Sequence, residues 1–123
     1  MALGVIEMAR SHWKPYAAAL FSQLQRASLS VQLNIAEGYT FGNSPTFTRY
    51  LGIAYGSAVE TGELLELALE AEIVGKSTLK SLLVRNQEAK QILLGILKRR
   101  RAFSAPNLAP FIRPSLFTLH SCL

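Results

Sequence analysis

The sequence is poor in the residues that most often carry chemistry. Its 123 residues include one cysteine, Cys122, and two histidines, His12 and His120. A lone thiol forms no intrachain disulfide, so a reducing compartment is expected, the cytoplasm by default. Neither histidine follows a glutamate at the Glu-x-x-His spacing of dinuclear carboxylate bundles, so no metal site is predicted. There is no CxxC pair, no phosphate-binding glycine loop and no nucleophile with a base in evident reach, which predicts neither an enzyme nor a cofactor. Charge is scarce too, at 17% of residues against 50% hydrophobic. That shortage predicts that part of the surface is covered by another subunit. Long apolar runs are missing as well. No uncharged stretch reaches the roughly 18 residues of a membrane span. The opening MALGVIEMAR places Glu7 and Arg10 where a secretory signal would be uncharged, so no signal is expected.

What the sequence does have is helical periodicity. Around the run SQLQRASLSVQLNIAEGY, residues 22–39, Leu20, Leu24, Ala27, Val31, Asn34, Ile35 and Gly38 fall on one face. Asn34 and Glu37 lie on or beside that stripe, where an amide and a carboxylate are costly unless hydrogen-bonded. Ahead of it, about Leu3–Lys14 reads as a short helix with Val5, Ile6, Ala9 and Trp13 on one side, ended by Pro15. The second helix follows over Tyr16–Tyr39. At about 1.5 Å per residue it is roughly 36 Å long against roughly 18 Å for the first, so half of it gains no partner there.

The run FGNSP at 41–45 reads as a turn, in which Gly42 and Asn43 tolerate positive φ and Ser44 caps the helix begun by Pro45. The third helix spans about Pro45–Ile73. It carries a stripe of Phe47, Leu51, Ala54, Ala58, Leu65 and Ala68 beside a second one of Tyr50, Ile53, Leu64, Leu67 and Ala71. Gly75 ends it, and Ser77 caps a fourth helix over about Thr78–Arg101. That helix has a core face of Leu79, Leu82, Leu83, Asn86, Ala89, Leu93, Ile96 and Leu97. The fold class is therefore all-α: an antiparallel up-down four-helix bundle over residues 1–101 with a shortened first helix. In the apolar tail, residues 102–123, Pro106, Pro110 and Pro114 exclude a continuous helix. It either lies loosely or clamps a neighbouring subunit.

A tight turn makes helices two and three antiparallel neighbours, pairing residues whose numbers sum to roughly 87. On that register Glu37 is expected to pair with Arg49, Asn34 to bond to Ser57 or nearby backbone, and Arg26 to meet Glu60 or Glu63. Gly52, Gly56 and Gly62 cost the third helix about 1 kcal/mol each relative to alanine unless close approach repays it. With Ala54, Ser57 and Ala58 they form a small-residue face for helix two. These polar contacts are expected to set register inside the bundle rather than to catalyse.

At these residues the chain resembles a known family. The run SVQLNIAEGY, then F-x-R-Y-L-x-I-A-x-GS and Glu60, is similar to the four-helix-bundle proteins encoded by intervening sequences in bacterial 23S ribosomal RNA genes. It is similar also to the accessory variability determinant of diversity-generating retroelements. The resemblance covers about Leu20–Arg101. It implies an up-down bundle, a ring-like homopentamer and no catalytic activity. For the retroelement member it implies binding to nucleic acid and a reverse transcriptase. The sequence departs from the pattern in its short first helix, in Gly62 where a second glutamate is usual, and in the tail.

Charge is strongly segregated. Glu60, Glu63, Glu66, Glu70 and Glu72 make an acidic stripe with no basic residue between positions 57 and 75, which reads as solvated or partner-facing. From Lys76 to Arg101 there are eight basic residues against Glu88 alone. Lys90, Lys98, Arg99, Arg100 and Arg101 are the candidate nucleic-acid contacts. Three readings stay open: solvated cations favoured by the helix C-terminus, a phosphate-contacting patch, or complementation of the acidic third helix within or between subunits. No aromatic is interleaved among these bases, so a phosphate patch predicts sequence-tolerant, salt-dependent binding to RNA or DNA without base stacking.

Overall fold

Two prolines and one left-handed glycine divide the start of the chain. Lys14 is held extended, as a residue before proline must be, and Pro15–Ala17 form a single 3₁₀ turn. In the computed structural model, which describes residues 1–102, this turn separates α1 (Ala2–Ser11) from α2 (Ala18–Tyr39). The first helix thus stops three residues before the expected Lys14. The His12 backbone N–H still reaches the Met8 carbonyl at 2.9 Å, and Trp13 leaves the helix to lie against Phe21, with ring centroids 5.9 Å apart.

At the far end of α2, Thr40 closes the helix through its hydroxyl, which donates to the Glu37 carbonyl at 2.6 Å. Gly42 supplies the positive φ, +62°, that turns the chain. Ser44 then accepts from the Phe47 N–H at 3.3 Å with Pro45 in the first turn of α3 (Pro45–Glu70).

The end of α3 differs from the expectation. The helix stops at Glu70, not at Ile73, and Gly75 plays no part in stopping it. Glu72 takes the left-handed conformation (φ +55°), its N–H bonds to the Leu69 carbonyl, and the Ile73 N–H bonds to that of Ala68, both at 3.2 Å. This is a Schellman closure with glutamate where glycine is usual. Burial of Val74 and partial burial of Ile73 against the core hold the chain in it. The fourth helix, α4 (Lys76–Ala102), begins two residues early. The Gly75 carbonyl accepts from the Leu79 N–H, so Ser77 lies in the first turn and is not the cap.

α3 is the central helix, packed against α2 on one side and α4 on the other, while α1 rests on α2 and touches α4. The up-down course of four antiparallel helices follows from these neighbours. Two apolar clusters fill the bundle. The upper one takes Val5, Met8 and Ala9 from α1, Phe21 and Leu24 from α2, Leu65 and Ala68 from α3, and Leu79 and Leu82 from α4. The lower one takes Val31 from α2, Leu51, Ala54 and Ala58 from α3, and Leu93 and Leu97 from α4. Met1 touches both, so α1 spans only the upper half. Between the clusters lies a layer of buried polar residues: Ser28, Ser57, Glu60, Thr61 and Asn86.

No helix among the described residues is long and apolar enough to cross a membrane. Of the tail expected over residues 102–123, Ala102 ends α4 and the rest falls outside the described residues.

Candidate nucleic-acid interface

The polar layer fixes how α2 and α3 register, through partners other than those expected. The Ser30 and Ser57 hydroxyls bond at 2.8 Å, and Gln23 Nε2 donates to Glu60 Oε1 at 2.9 Å. Asn34 does not cross to Ser57. Its amide donates to the carbonyl and hydroxyl of Ser30, one turn earlier, at 2.8 and 3.0 Å, and Ser30 makes the crossing. Arg26 is exposed and Glu60 is buried, so the carboxylate is met by a neutral amide and not by the guanidinium. Glu37 and Arg49 are both exposed, and no ion pair joins them among the described residues. The seam is therefore Gln23, Ala27, Ser30, Asn34 and Gly38, at spacings of four, three, four and four. That rhythm was readable in the sequence. Ala27, Asn34 and Gly38 of the expected α2 face lie in this seam, whereas Ile35 of that face is exposed.

Gly38 shows why the seam is tight. A Cβ there would stand 2.6 Å from the Tyr50 Cβ of α3, so only glycine admits this approach. Gly62, placed by its sequence position on the face toward α2, turns instead toward α4, where a Cβ would meet Asn86 Nδ2 at 2.9 Å.

The lower end of the bundle is closed by Arg100. Its Nε donates to Thr48 Oγ1 at 2.7 Å, Nη1 to Asn43 Oδ1 at 2.9 Å and Nη2 to the Ser44 carbonyl at 3.0 Å. The guanidinium also lies over the Phe47 ring, 4.7 Å from its centroid. All three faces of the fork are thus engaged by the α2–α3 turn and the start of α3. Of the basic run, Lys98 and Arg99 are exposed, Arg101 is half-buried, and Lys90 lies higher, half-buried in the groove between α3 and α4. The expected patch is smaller than its sequence, because one face of the last helical turn is spent on holding the helix down.

The fold also brings aromatics to this end. Tyr39 is 77% exposed and Phe41 48% exposed, the two largest rings of the α2–α3 connection. Phe41 stacks on Tyr50 at 5.5 Å between centroids, and Tyr39 meets Phe47 edge-on at 6.3 Å. Tyr39, Thr40, Gly42, Asn43, Phe47 and Arg100 line a cavity of about 490 Å³. Some sixty residues separate these rings from the basic run in sequence, so no local pattern could have linked them.

Against models of known protein families, residues 1–95 match that of the 23S rRNA-intervening sequence protein. The chain belongs to this family. No curated protein and no solved structure matches it. The family match takes in the whole of α1, beyond the resemblance over about Leu20–Arg101. It ends before Lys98. Family membership therefore bears on the bundle and its polar layer, and the run Lys98–Arg101 lies beyond the matched residues.

Proposed function

We propose that this protein is a non-enzymatic, self-associating helical scaffold that binds single-stranded nucleic acid at the lower end of the bundle. The observation that supports the reading is that one end of the bundle carries both exposed aromatics, Tyr39 and Phe41, and exposed cations, Lys98, Arg99 and Arg49. Cations that contact phosphates release bound counterions, which favours binding at low salt, and exposed rings stack on bases without demanding a sequence. Stacking thus enters the reading only through the fold. Self-association is supported by α2, where Leu29 and Leu33 are exposed one turn apart on one face.

The test is fluorescence anisotropy of labelled single-stranded RNA and DNA against increasing salt, with light scattering on the same samples. Binding that weakens steeply with salt, is lost in Lys98→Ala/Arg99→Ala and falls in Tyr39→Ala with the oligomer intact supports the scaffold. If Lys98→Ala/Arg99→Ala breaks the oligomer instead, the charges belong to subunit contacts and the protein is a structural homo-oligomer. That second reading is favoured by the same exposed α2 leucines.

A further inference from the structure

Two surfaces of the bundle carry charges that the chain does not pair internally, and the two are complementary. On α2, Arg26, Leu29, Leu33 and Glu37 follow one another at spacings of three, four and four, which sets them along one ridge. All four are exposed, and among the described residues neither charge of the ridge forms an ion pair. Arg26 stands toward the upper end of the bundle and Glu37 toward the lower. Eleven residues separate them, about 16 Å along the helix.

The groove between α3 and α4 has the reverse order. Val59, Glu63 and Glu66 line it from α3, and Leu83, Val84 and Lys90 from α4. Asn86 sets the level of the two antiparallel helices, since it donates to the Ala58 carbonyl at 3.0 Å and lies against Gly62. Glu63 and Glu66 therefore stand at the upper end of the groove and Lys90 at the lower, with Val59, Leu83 and Val84 between. Glu66 and Lys90 are about ten residues apart in level, or about 15 Å. Among the described residues none of these three charges forms an ion pair.

Ridge and groove thus match in length, in apolar centre and in charge. With two copies pointing the same way, Arg26 meets Glu63 and Glu66, the leucines lie on Val59, Leu83 and Val84, and Glu37 meets Lys90. Turning one copy end over end sets Arg26 against Lys90 and Glu37 against the two glutamates, which like-charge repulsion disfavours. We infer that the α2 ridge of one copy seats in the α3–α4 groove of a second copy, both pointing the same way. The contact is heterologous, because each copy offers a ridge to one neighbour and a groove to another. It rests on the self-association proposed above and makes no use of the nucleic-acid end.

The experiment is sedimentation velocity of the full chain over a range of protein concentrations, at low and at high salt. Arg26→Glu and Glu63→Arg/Glu66→Arg are each expected to weaken association about tenfold or more at low salt, and their combination to regain it. Glu37→Lys should weaken it too, with Lys90→Glu as its rescue. Recovery in the combined variants shows that the single reversals had not simply unfolded the chain. Tighter association of Arg26→Glu would set the ridge against Lys90 and overturn the same-way contact. An oligomer indifferent to both reversals overturns the contact and leaves self-association standing, whereas a monomer at every concentration removes both.

Discussion

The two halves of the bundle reach closure by different means. The upper half is a four-helix core around Phe21, Leu24, Leu65 and Leu79, each fully buried. In the lower half three helices contribute smaller side chains, Val31, Ala54 and Ala58 among them, and close approach replaces bulk. Gly38 lets α2 sit against Tyr50, and Arg100 ties the last turn of α4 to the α2–α3 connection. Burial of large side chains stabilises without direction, whereas glycine contacts and a guanidinium fork are geometric. The upper half should therefore tolerate shape changes better than it tolerates lost volume, and the lower half the reverse.

The largest effect should come from lost volume above. Phe21→Ala removes a fully buried ring from the four-helix core, and about 3–5 kcal/mol of stability should go with it in urea unfolding. A loss near 1 kcal/mol would mean that the upper core collapses readily and that the contrast is false. Next, Gly38→Ala adds a single methyl below, where it must displace Tyr50, and should cost about 1–3 kcal/mol. Indifference to it would show that α2 and α3 can separate at no expense.

Arg100→Ala should cost less, about 1–2 kcal/mol, because part of the fork is solvent-exposed. Its signature is local: faster hydrogen exchange at Phe47 and Thr48 while upper-core amides keep their protection. Arg100→Lys should not restore it, since an ammonium cannot serve Thr48, Asn43 and Ser44 together. The smallest change should be a gain. Glu72→Gly relieves a left-handed glutamate and should stabilise the closure of α3 by about 0.5–1 kcal/mol, read as a small rise in Tm.

Much of the fold could be read from the chain because helix periodicity is local. The first α3 stripe and the α4 face are buried except for Phe47, Leu83, Ala89 and Ile96, which are half-buried, whereas Leu67 and Ala71 of the second α3 stripe are exposed. The Ser44–Pro45 start of α3 followed from cap chemistry alone. The end of α3 did not, because a glutamate at positive φ is set by how Ile73 and Val74 pack and leaves no local trace. The antiparallel register of α2 on α3 was also legible, and Ser30 meets Ser57 where it requires. The individual bonds were not. Choosing Gln23 over Arg26 for Glu60 depends on a rotation of α2 by a fraction of a turn, which the hydrophobic pattern leaves loose.

The candidate interface divides along the same line. Its positive charge is a property of composition, concentrated in α4 and visible in the sequence. Which cations face solvent is a property of packing: Arg100 turns inward onto Phe47 and the turn, while Lys98 and Arg99 do not. The exposed rings at the same end of the bundle come from the end of α2 and the α2–α3 connection. Sequence by itself determined four helices, their order and their charge, because each depends on residues within a few turns of one another. Tertiary packing alone brings Tyr39 and Phe41 to one end with Lys98 and Arg99, and sets Gln23 rather than Arg26 against Glu60. Both follow from helices meeting across the bundle, where separation in sequence places no limit on proximity.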